Sequence, residues 1–301
     1  MHTTTLAAAP ELPATRGGFS SRRSTILLAA YALLVAVCVS SLIHAGDFSL
    51  GRKPWQNLLQ TAEELSTPSV FKLWFGSTAL EYKADDGRVL RVDNERASEA
   101  RFLAGLAEAM WTTFKIATLG SLLAAMLGAP LGFLSARNMH APAAVAWLAR
   151  RILDVCRSIH TLVFGLLLVG IIGLGPMAGI LAIAFHSMGS WGKLYAESIE
   201  TLDMRPIEAV RATGATPAQV FLFAVWPALL PNFVSNHLYI WEYNMRDSTV
   251  LGLIGAGGLG LLLTEAVSLF QWGRLSTLLI AIVLMVVAFD ALSRRIRNAV
   301  L

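Results

Sequence analysis

Long apolar segments constrain this chain more than any other feature of its sequence. A helix needs about 20 mostly apolar residues to cross the hydrocarbon core of a bilayer. Residues 26–43 carry no charge, and residues 275–292 carry only Asp290. Composition agrees, because 15% of the residues are charged, whereas soluble domains carry roughly 25%. The sequence therefore predicts an all-α membrane protein.

The apolar runs and their breaks predict six transmembrane helices. Gly120, Gly128 and Gly132 fall in the second, where small residues let helices approach closely. Pro227 and Pro231 fall in the fifth and are expected to kink it, because proline frees a helical carbonyl. The six predicted spans are residues 26–43, 116–136, 143–172, 176–195, 217–239 and 275–292.

The distribution of basic residues predicts the orientation. Arginines precede the first span, flank the loop at Arg137 and follow the last span, and such residues favour the cytoplasmic side. Both termini are therefore predicted to be cytoplasmic, with tails at 1–25 and 298–301. Residues 44–105 form an outer, periplasmic segment. Within it, Asp86-Gly87 between two β-prone runs is typical of a β-hairpin.

Several other functional classes lack their signatures. Residues 255–260 match G-x-G-x-x-G, but the uncharged part of a membrane span lies about 20 residues further on, where a dinucleotide fold needs an acid. A phosphate-binding P-loop is missing, and no two histidines have metal-ligand spacing. Cys38 and Cys156 are interpreted as small buried hydrophobic residues. We expect no metal, no cofactor bound by this chain and no nucleic acid, since the net charge of +4 comes from residues beside the spans.

A polar island at residues 205–217 separates the fourth and fifth predicted spans. Pro206 suits the first turn of a helix, and Gly214 suits its left-handed end. Thr216 and Gln219 are typical of a capping box that starts the next helix. A loop in lipid could not satisfy its backbone, so this short helix is predicted to lie outside the bilayer as a docking surface. An ordinary connecting helix is the alternative.

A second polar string precedes the glycine run. Arg246 supplies a fixed positive charge, its neighbours supply hydroxyl groups, and successive glycines can turn backbone N–H groups toward an anion. The string is therefore predicted to line a translocation path for an oxyanion. The alternative is that Arg246 pairs with Asp247 or Glu242 and the glycines only permit a tight re-entrant turn. The predicted path residues are Asn244, Arg246, Ser248, Thr249, Gly255, Gly257 and Gly258.

Residues from about Leu106 to Arg297 resemble the phosphonate ABC transporter permease family. Glu208-Ala209-Val210 followed by Gly214 resembles the EAA loop of ABC importer permeases, which is their coupling helix. The other strings that carry the resemblance are residues 153–159, 173–179, 211–215, 244–250 and 255–258.

The resemblance implies the type I ABC importer permease fold, with the permease core at 106–297 and the coupling helix at 205–215. It implies a homodimer in the bacterial inner membrane, one ABC ATPase subunit per protomer that uses ATP and Mg, and a periplasmic phosphonate-type binding protein. Glu208, Ala209, Arg211 and Gly214 are the implied ATPase contacts. Alternating access would import phosphonate, phosphite or phosphate. Two alternatives stay open: a permease for another solute such as an amino acid, and a membrane enzyme acting on an anionic lipid or nucleotide.

Overall fold

The computed structural model describes residues 21–45, 54–77, 80–83, 89–139 and 141–300. Most of the predicted cytoplasmic tail at 1–25 lies outside the described residues. The chain divides into two units, residues 1–59 and residues 60–301.

The first unit contains one long apolar helix, α1 (Ser21–Ala45). Every side chain described in it, from Thr25 to Ala45, is exposed. The same stretch is long and apolar enough to cross a membrane, and it contains the predicted first span, 26–43.

Short elements make up the described part of residues 46–94, within the segment that is predicted to lie outside. They are α2 (Pro54–Ser66), a 3₁₀ turn (Ser69–Phe71), α3 (Lys72–Phe75), and the strands β1 (Leu80–Lys83) and β2 (Val89–Asp93). The strands pair in antiparallel fashion, with Leu80 opposite Asp93. The turn predicted at Asp86-Gly87 lies outside the described residues, so the hairpin stays a prediction.

The second predicted span belongs to a much longer helix, α4 (Glu95–Ser135), of 41 residues. At 1.5 Å per residue it is about 60 Å long, so its first part extends well beyond the membrane-length stretch. Its start is capped by Asn94, whose side chain accepts a hydrogen bond from the Ala97 N–H at 3.0 Å.

The predicted third span is not one helix. The structure divides residues 143–172 into α5 (Ala143–Ser158) and α6 (Thr161–Ile172), which meet at an angle of 91°. Ile159 and His160 are extended, and the His160 side chain accepts a hydrogen bond from the Leu162 N–H as the cap of α6. The bend lies in the mostly polar stretch of residues 157–161, where this local cap starts a new helix before the apolar run from Leu162.

The predicted fourth span corresponds to α7 (Pro176–Glu200), which continues five residues beyond Tyr195. It packs against α4, α5 and α6. Because protein surrounds much of α7, it can carry polar residues that a lipid-facing helix could not.

The predicted fifth span is longer and less regular than expected. It consists of α9 (Pro217–Val220), a π-helical turn (Phe221–Val225) and α10 (Trp226–Leu251). The π turn lies just before Pro227, where a missing N–H disturbs the regular ladder. The sequence pattern predicts an end near Tyr239, whereas α10 continues to Leu251. The helix continues through the polar residues that follow, two of which, Asn244 and Ser248, are buried; α10 packs against α4 and α7.

The last predicted span is α12 (Trp272–Val300), and a short apolar helix that the sequence reading omitted, α11 (Leu259–Ser268), precedes it. By length and composition, four helices of the described chain could cross a membrane, or five if the bent α5–α6 pair counts as one. The outer 3₁₀ turn contacts α12 through Ser69, whose hydroxyl lies 3.1 Å from that of Thr277.

The core depends on close contact between α4 and α7. The predicted role of Gly120, Gly128 and Gly132 is confirmed, because a side chain at each would collide with α7. At Gly132 an added Cβ would lie 2.6 Å from the Gly192 carbonyl oxygen.

We expect Gly132→Ala to destabilise the protein by about 1–3 kcal/mol, the usual effect of overpacking. The measurement is the melting temperature of the purified protein in detergent. Gly105→Ala is the matched control in the same helix, since its added Cβ meets nothing within 4 Å. Equal melting temperatures for the two variants would contradict this account of the α4–α7 contact.

Candidate functional site

The polar island forms a short capped helix, α8 (Met204–Ala212). Its cap is Asp203, which accepts a hydrogen bond from the Arg205 N–H at 3.1 Å. The Arg205 guanidinium beside Asp203 holds the pKa of that carboxyl below its usual range, so the cap stays ionised. Asp203 was not predicted from the sequence, although aspartate is a preferred cap. Pro206 lies in the first turn as predicted, as the third residue of α8.

The end of α8 follows the sequence prediction. Gly214 has a φ of +81°, the left-handed conformation expected of a glycine that ends a helix. Thr216 and Gln219 form the predicted capping box at the start of α9. These local signals fix where α8 stops and where α9 begins.

One side of α8 packs against the rest of the protein, and the other side is exposed. Ile207 is buried in an apolar cluster with residues of α7 and α10, and it lines a cavity of about 470 Å³. The four predicted coupling residues are all exposed. They are Glu208, Ala209, Arg211 and Gly214.

The predicted path begins on α10, where Arg246 carries an exposed guanidinium. Its side chain is 56% exposed, and its Nη2 donates to Glu242 Oε1 at 2.8 Å. From the sequence, either Asp247 or Glu242 could pair with Arg246. In the structure the partner is Glu242. Asp247 instead accepts a hydrogen bond from the buried Thr161 hydroxyl at 2.6 Å. Asp247 is therefore not the partner of Arg246 in this structure, and its carboxylate links α10 to α6 instead.

Asn244 lies inside the helix bundle with no exposed surface. Its side-chain oxygen accepts from the Ser187 hydroxyl at 2.8 Å, and its side-chain nitrogen donates to the Ser121 hydroxyl at 2.8 Å. This amide therefore links α10 to both α7 and α4. Its place in the predicted path stays a prediction, but its hydrogen bonds in this structure serve packing.

We expect Asn244→Ala to lower stability by about 1–3 kcal/mol, because two buried serines lose their partner. The measurement is again thermal unfolding in detergent, with Asn236→Ala as control. Asn236 is only half-buried and donates to the Ser198 hydroxyl at 3.1 Å. Unchanged unfolding together with lost uptake would instead make Asn244 a substrate contact.

The two hydroxyls after Arg246 also have partners within the helix. Ser248 is buried and donates to the Met245 carbonyl oxygen at 2.8 Å, while Thr249 donates to the Arg246 carbonyl oxygen at 2.7 Å. Both could reach an anion only after giving up these bonds, which hydroxyl rotation allows.

The glycine run forms a turn between α10 and α11. Gly255, Gly257 and Gly258 all have positive φ. The Gly255 N–H donates to the Gly252 carbonyl oxygen, and its own carbonyl accepts from the Gly175 N–H at 3.0 Å. The turn therefore packs on the loop before α7. An anion-binding role for Gly257 and Gly258 stays a prediction.

Within the described part of the chain, no three histidine, cysteine, aspartate or glutamate side chains are grouped as a metal site requires.

Known proteins similar to this chain are membrane transport components. The family model described as "Binding-protein-dependent transport system inner membrane component" matches residues 128–300. The phosphite transport system permease protein PtxC of Stutzerimonas stutzeri is 40% identical over 186 residues, 62% of this chain and 68% of PtxC. The phosphate-import permease protein PhnE of Mycolicibacterium smegmatis is 38% identical over 189 residues, 63% of this chain and 36% of PhnE.

A solved structure resembles the fold. The inward-facing MetNI methionine ABC transporter aligns with a TM-score of 0.59 and 23% identity, over 67% of this chain and 98% of that chain. At this identity the likeness concerns the fold alone.

Proposed function

Since this chain belongs to the phosphonate-type ABC transporter permeases, within the family of binding-protein-dependent transport system inner membrane components, we propose that it imports a phosphorus oxyanion. The candidates are phosphonate, phosphite and phosphate. The chain supplies the path across the inner membrane and has no catalysis of its own.

The proposal that the substrate is an anion rests on the exposed guanidinium of Arg246 on α10. A charged group on a membrane-length helix is costly unless it has a function or a partner, and Glu242 compensates it in this structure. Arginine presents a planar fork of N–H donors that suits phosphorus oxyanions, and it stays charged at any physiological pH. The names of PtxC and PhnE, which refer to phosphite and phosphate, support the same class of substrate.

Transport in this proposal is alternating access driven from the cytoplasmic side. A separate ABC ATPase, which uses ATP and Mg, docks on the exposed face of α8. Two copies of the chain form a homodimer, and a periplasmic binding protein delivers the oxyanion. The chain holds no cofactor, and both termini are cytoplasmic, as the arginines beside the spans favour.

The test is uptake into proteoliposomes that contain the permease, its ATPase and the binding protein from the same gene neighbourhood. Labelled phosphite, phosphate, methylphosphonate and a neutral amino acid are compared with and without ATP. A panel of the same ligands is tested for thermal stabilisation of the binding protein. ATP-dependent uptake of at least one phosphorus oxyanion supports the proposal. Uptake of the amino acid alone, or turnover of a phosphorus compound by the purified chain, would contradict it.

A further inference from the structure

A small cavity lies between α7 and α10, next to the turn of α10 that carries Arg246. Its volume is about 160 Å³, roughly the share of five waters in the liquid. The α7 wall has residues spaced four apart, which places them on one face of the helix. The lining residues are His186, Ser187, Ser190, Leu194, Tyr239, Ile240 and Tyr243.

Three hydroxyl groups that line the cavity form no hydrogen bond with any described residue: that of Ser190 on α7 and those of Tyr239 and Tyr243 on α10. Hydroxyls elsewhere in these helices behave differently. Ser198 donates to the Leu194 carbonyl oxygen at 2.8 Å, and Ser248 donates to that of Met245 at the same distance. Ser190 lies in α7 like Ser198, yet its hydroxyl remains available to a ligand.

His186 adds a ring nitrogen of defined character. Its Nδ1 lies 2.7 Å from the Ile159 carbonyl oxygen. A carbonyl oxygen only accepts, so Nδ1 must carry the proton. In the neutral ring Nε2 is then an acceptor, and in the charged ring it is a donor. Both forms match a phosphorus oxyanion, which has either a P–OH to donate or only oxygens that accept.

Arg246 lies on the same face of α10 as the two tyrosines. Tyr239, Tyr243 and Arg246 are separated by four and three residues, so their side chains follow one another along the helix surface. All three are exposed. A charged donor therefore lies one turn from a cavity lined by neutral donors.

We propose that this α7–α10 cavity is a binding subsite for the transported phosphorus oxyanion, held by His186, Ser190, Tyr239 and Tyr243. This inference rests on the proposed function and names residues of the path that the sequence analysis did not include. Arg246 attracts the anion, and the hydroxyls replace part of its hydration as it leaves water. Neutral donors suit a transient site, because conduction requires binding weak enough to allow release.

Occupancy is tested directly with a cysteine in the cavity wall. Ser190→Cys is placed in a chain whose Cys38 and Cys156 are replaced by serine, assembled with its ATPase and reconstituted in nanodiscs. The rate of labelling by a small methanethiosulfonate reagent is measured with phosphite, phosphate, methylphosphonate or sulfate. We expect at least one phosphorus oxyanion to slow labelling several-fold and sulfate, which has no P–OH group, to slow it less. Ser158→Cys, an exposed position at the end of α5, is the control whose labelling the anions leave unchanged.

A second variant keeps the proposal testable if the cysteine variant does not fold. Tyr243→Phe removes only a hydroxyl and is expected to weaken protection by the oxyanion about tenfold, the effect of one hydrogen bond to a charged group. Tyr31→Phe on α1 is the matched control. The proposal is overturned if no phosphorus oxyanion slows labelling, or if Tyr243→Phe equals Tyr31→Phe, while the wild-type importer still takes up that oxyanion. Equal protection by sulfate would overturn the role of the neutral His186 ring as the acceptor of a P–OH group. Absence of any such uptake by the wild type would instead refute the proposed function.

Discussion

Arg246→Ala is expected to reduce oxyanion uptake between about tenfold and a hundredfold. Hydrogen bonds to a charged group contribute about 1.5–3 kcal/mol each, and every 1.4 kcal/mol is a factor of ten. An anion that enters a low-dielectric path without a compensating donor also loses hydration that nothing replaces. Arg246→Lys keeps the charge but loses the planar fork, so we expect it to restore uptake only in part.

The measurement is the initial rate of uptake by reconstituted importers with saturating binding protein. Assembly with the ATPase is checked by size-exclusion chromatography, because a variant that fails to assemble says nothing about the path. Arg246 is exposed and its hydrogen bonds with described residues lie within α10, so we expect assembly to be normal.

A double variant separates a substrate contact from a structural ion pair. Removing Arg246 alone leaves the Glu242 carboxylate, only 20% exposed, without its partner. If that unpaired charge causes the loss, Glu242→Ala combined with Arg246→Ala restores uptake. We expect the double variant to stay as impaired as the single one. Restored uptake, or a single variant with normal uptake, would show that the anion path lies elsewhere.

The overall architecture was predictable from sequence because its signals are strong or local. The predicted all-α, type I permease fold is confirmed by the likeness to MetNI. The end of α8 at Gly214 and the capping box at Thr216 were also predicted correctly. The two helix boundaries depend on residues within about four positions of one another, where the local sequence determines the hydrogen bonds.

Features that depend on distant partners were not predictable. The stretch Arg157-Ser158-Ile159-His160-Thr161 is mostly polar, but polarity alone does not distinguish one amphipathic helix from two helices that meet at 91°. The apolar pattern seemed to end at Tyr239, because polar residues follow that position. Those residues are helical, with Asn244 satisfied by serines 57 and 123 residues away. Composition cannot distinguish a polar residue in a loop from one buried against another helix.

The partner of Arg246 illustrates the same limit at the candidate site. Glu242 is four residues before Arg246, so the two side chains meet only if the segment is helical. Asp247 is its sequence neighbour but points to Thr161, 86 residues away. The choice between them therefore required the fold of α10 and its contact with α6.

Gly214→Val is expected to abolish most substrate-stimulated ATP hydrolysis while membrane insertion stays normal. The φ of +81° at Gly214 costs a residue with a Cβ about 1–2 kcal/mol, and more for a β-branched side chain. A Cβ there would meet nothing within 4 Å, so the effect comes from the backbone and not from a clash. The strain is relieved by unwinding the end of α8, which moves the docking residues Glu208 and Arg211.

Substitutions at Gly214 that differ in their tolerance of the left-handed conformation test whether this turn is what couples α8 to ATP hydrolysis. Asparagine tolerates this conformation better than valine, so we expect Gly214→Asn to keep much of the stimulated hydrolysis. Gly170→Val on α6 is the matched control, because its added Cβ also meets nothing within 4 Å and its φ is not positive. Glu208→Lys reverses an exposed charge on the docking face without straining the backbone, and it is expected to weaken co-purification of the ATPase. If Gly214→Val and Glu208→Lys both keep normal stimulation and co-purification, α8 is an ordinary connecting helix and the ATPase docks elsewhere.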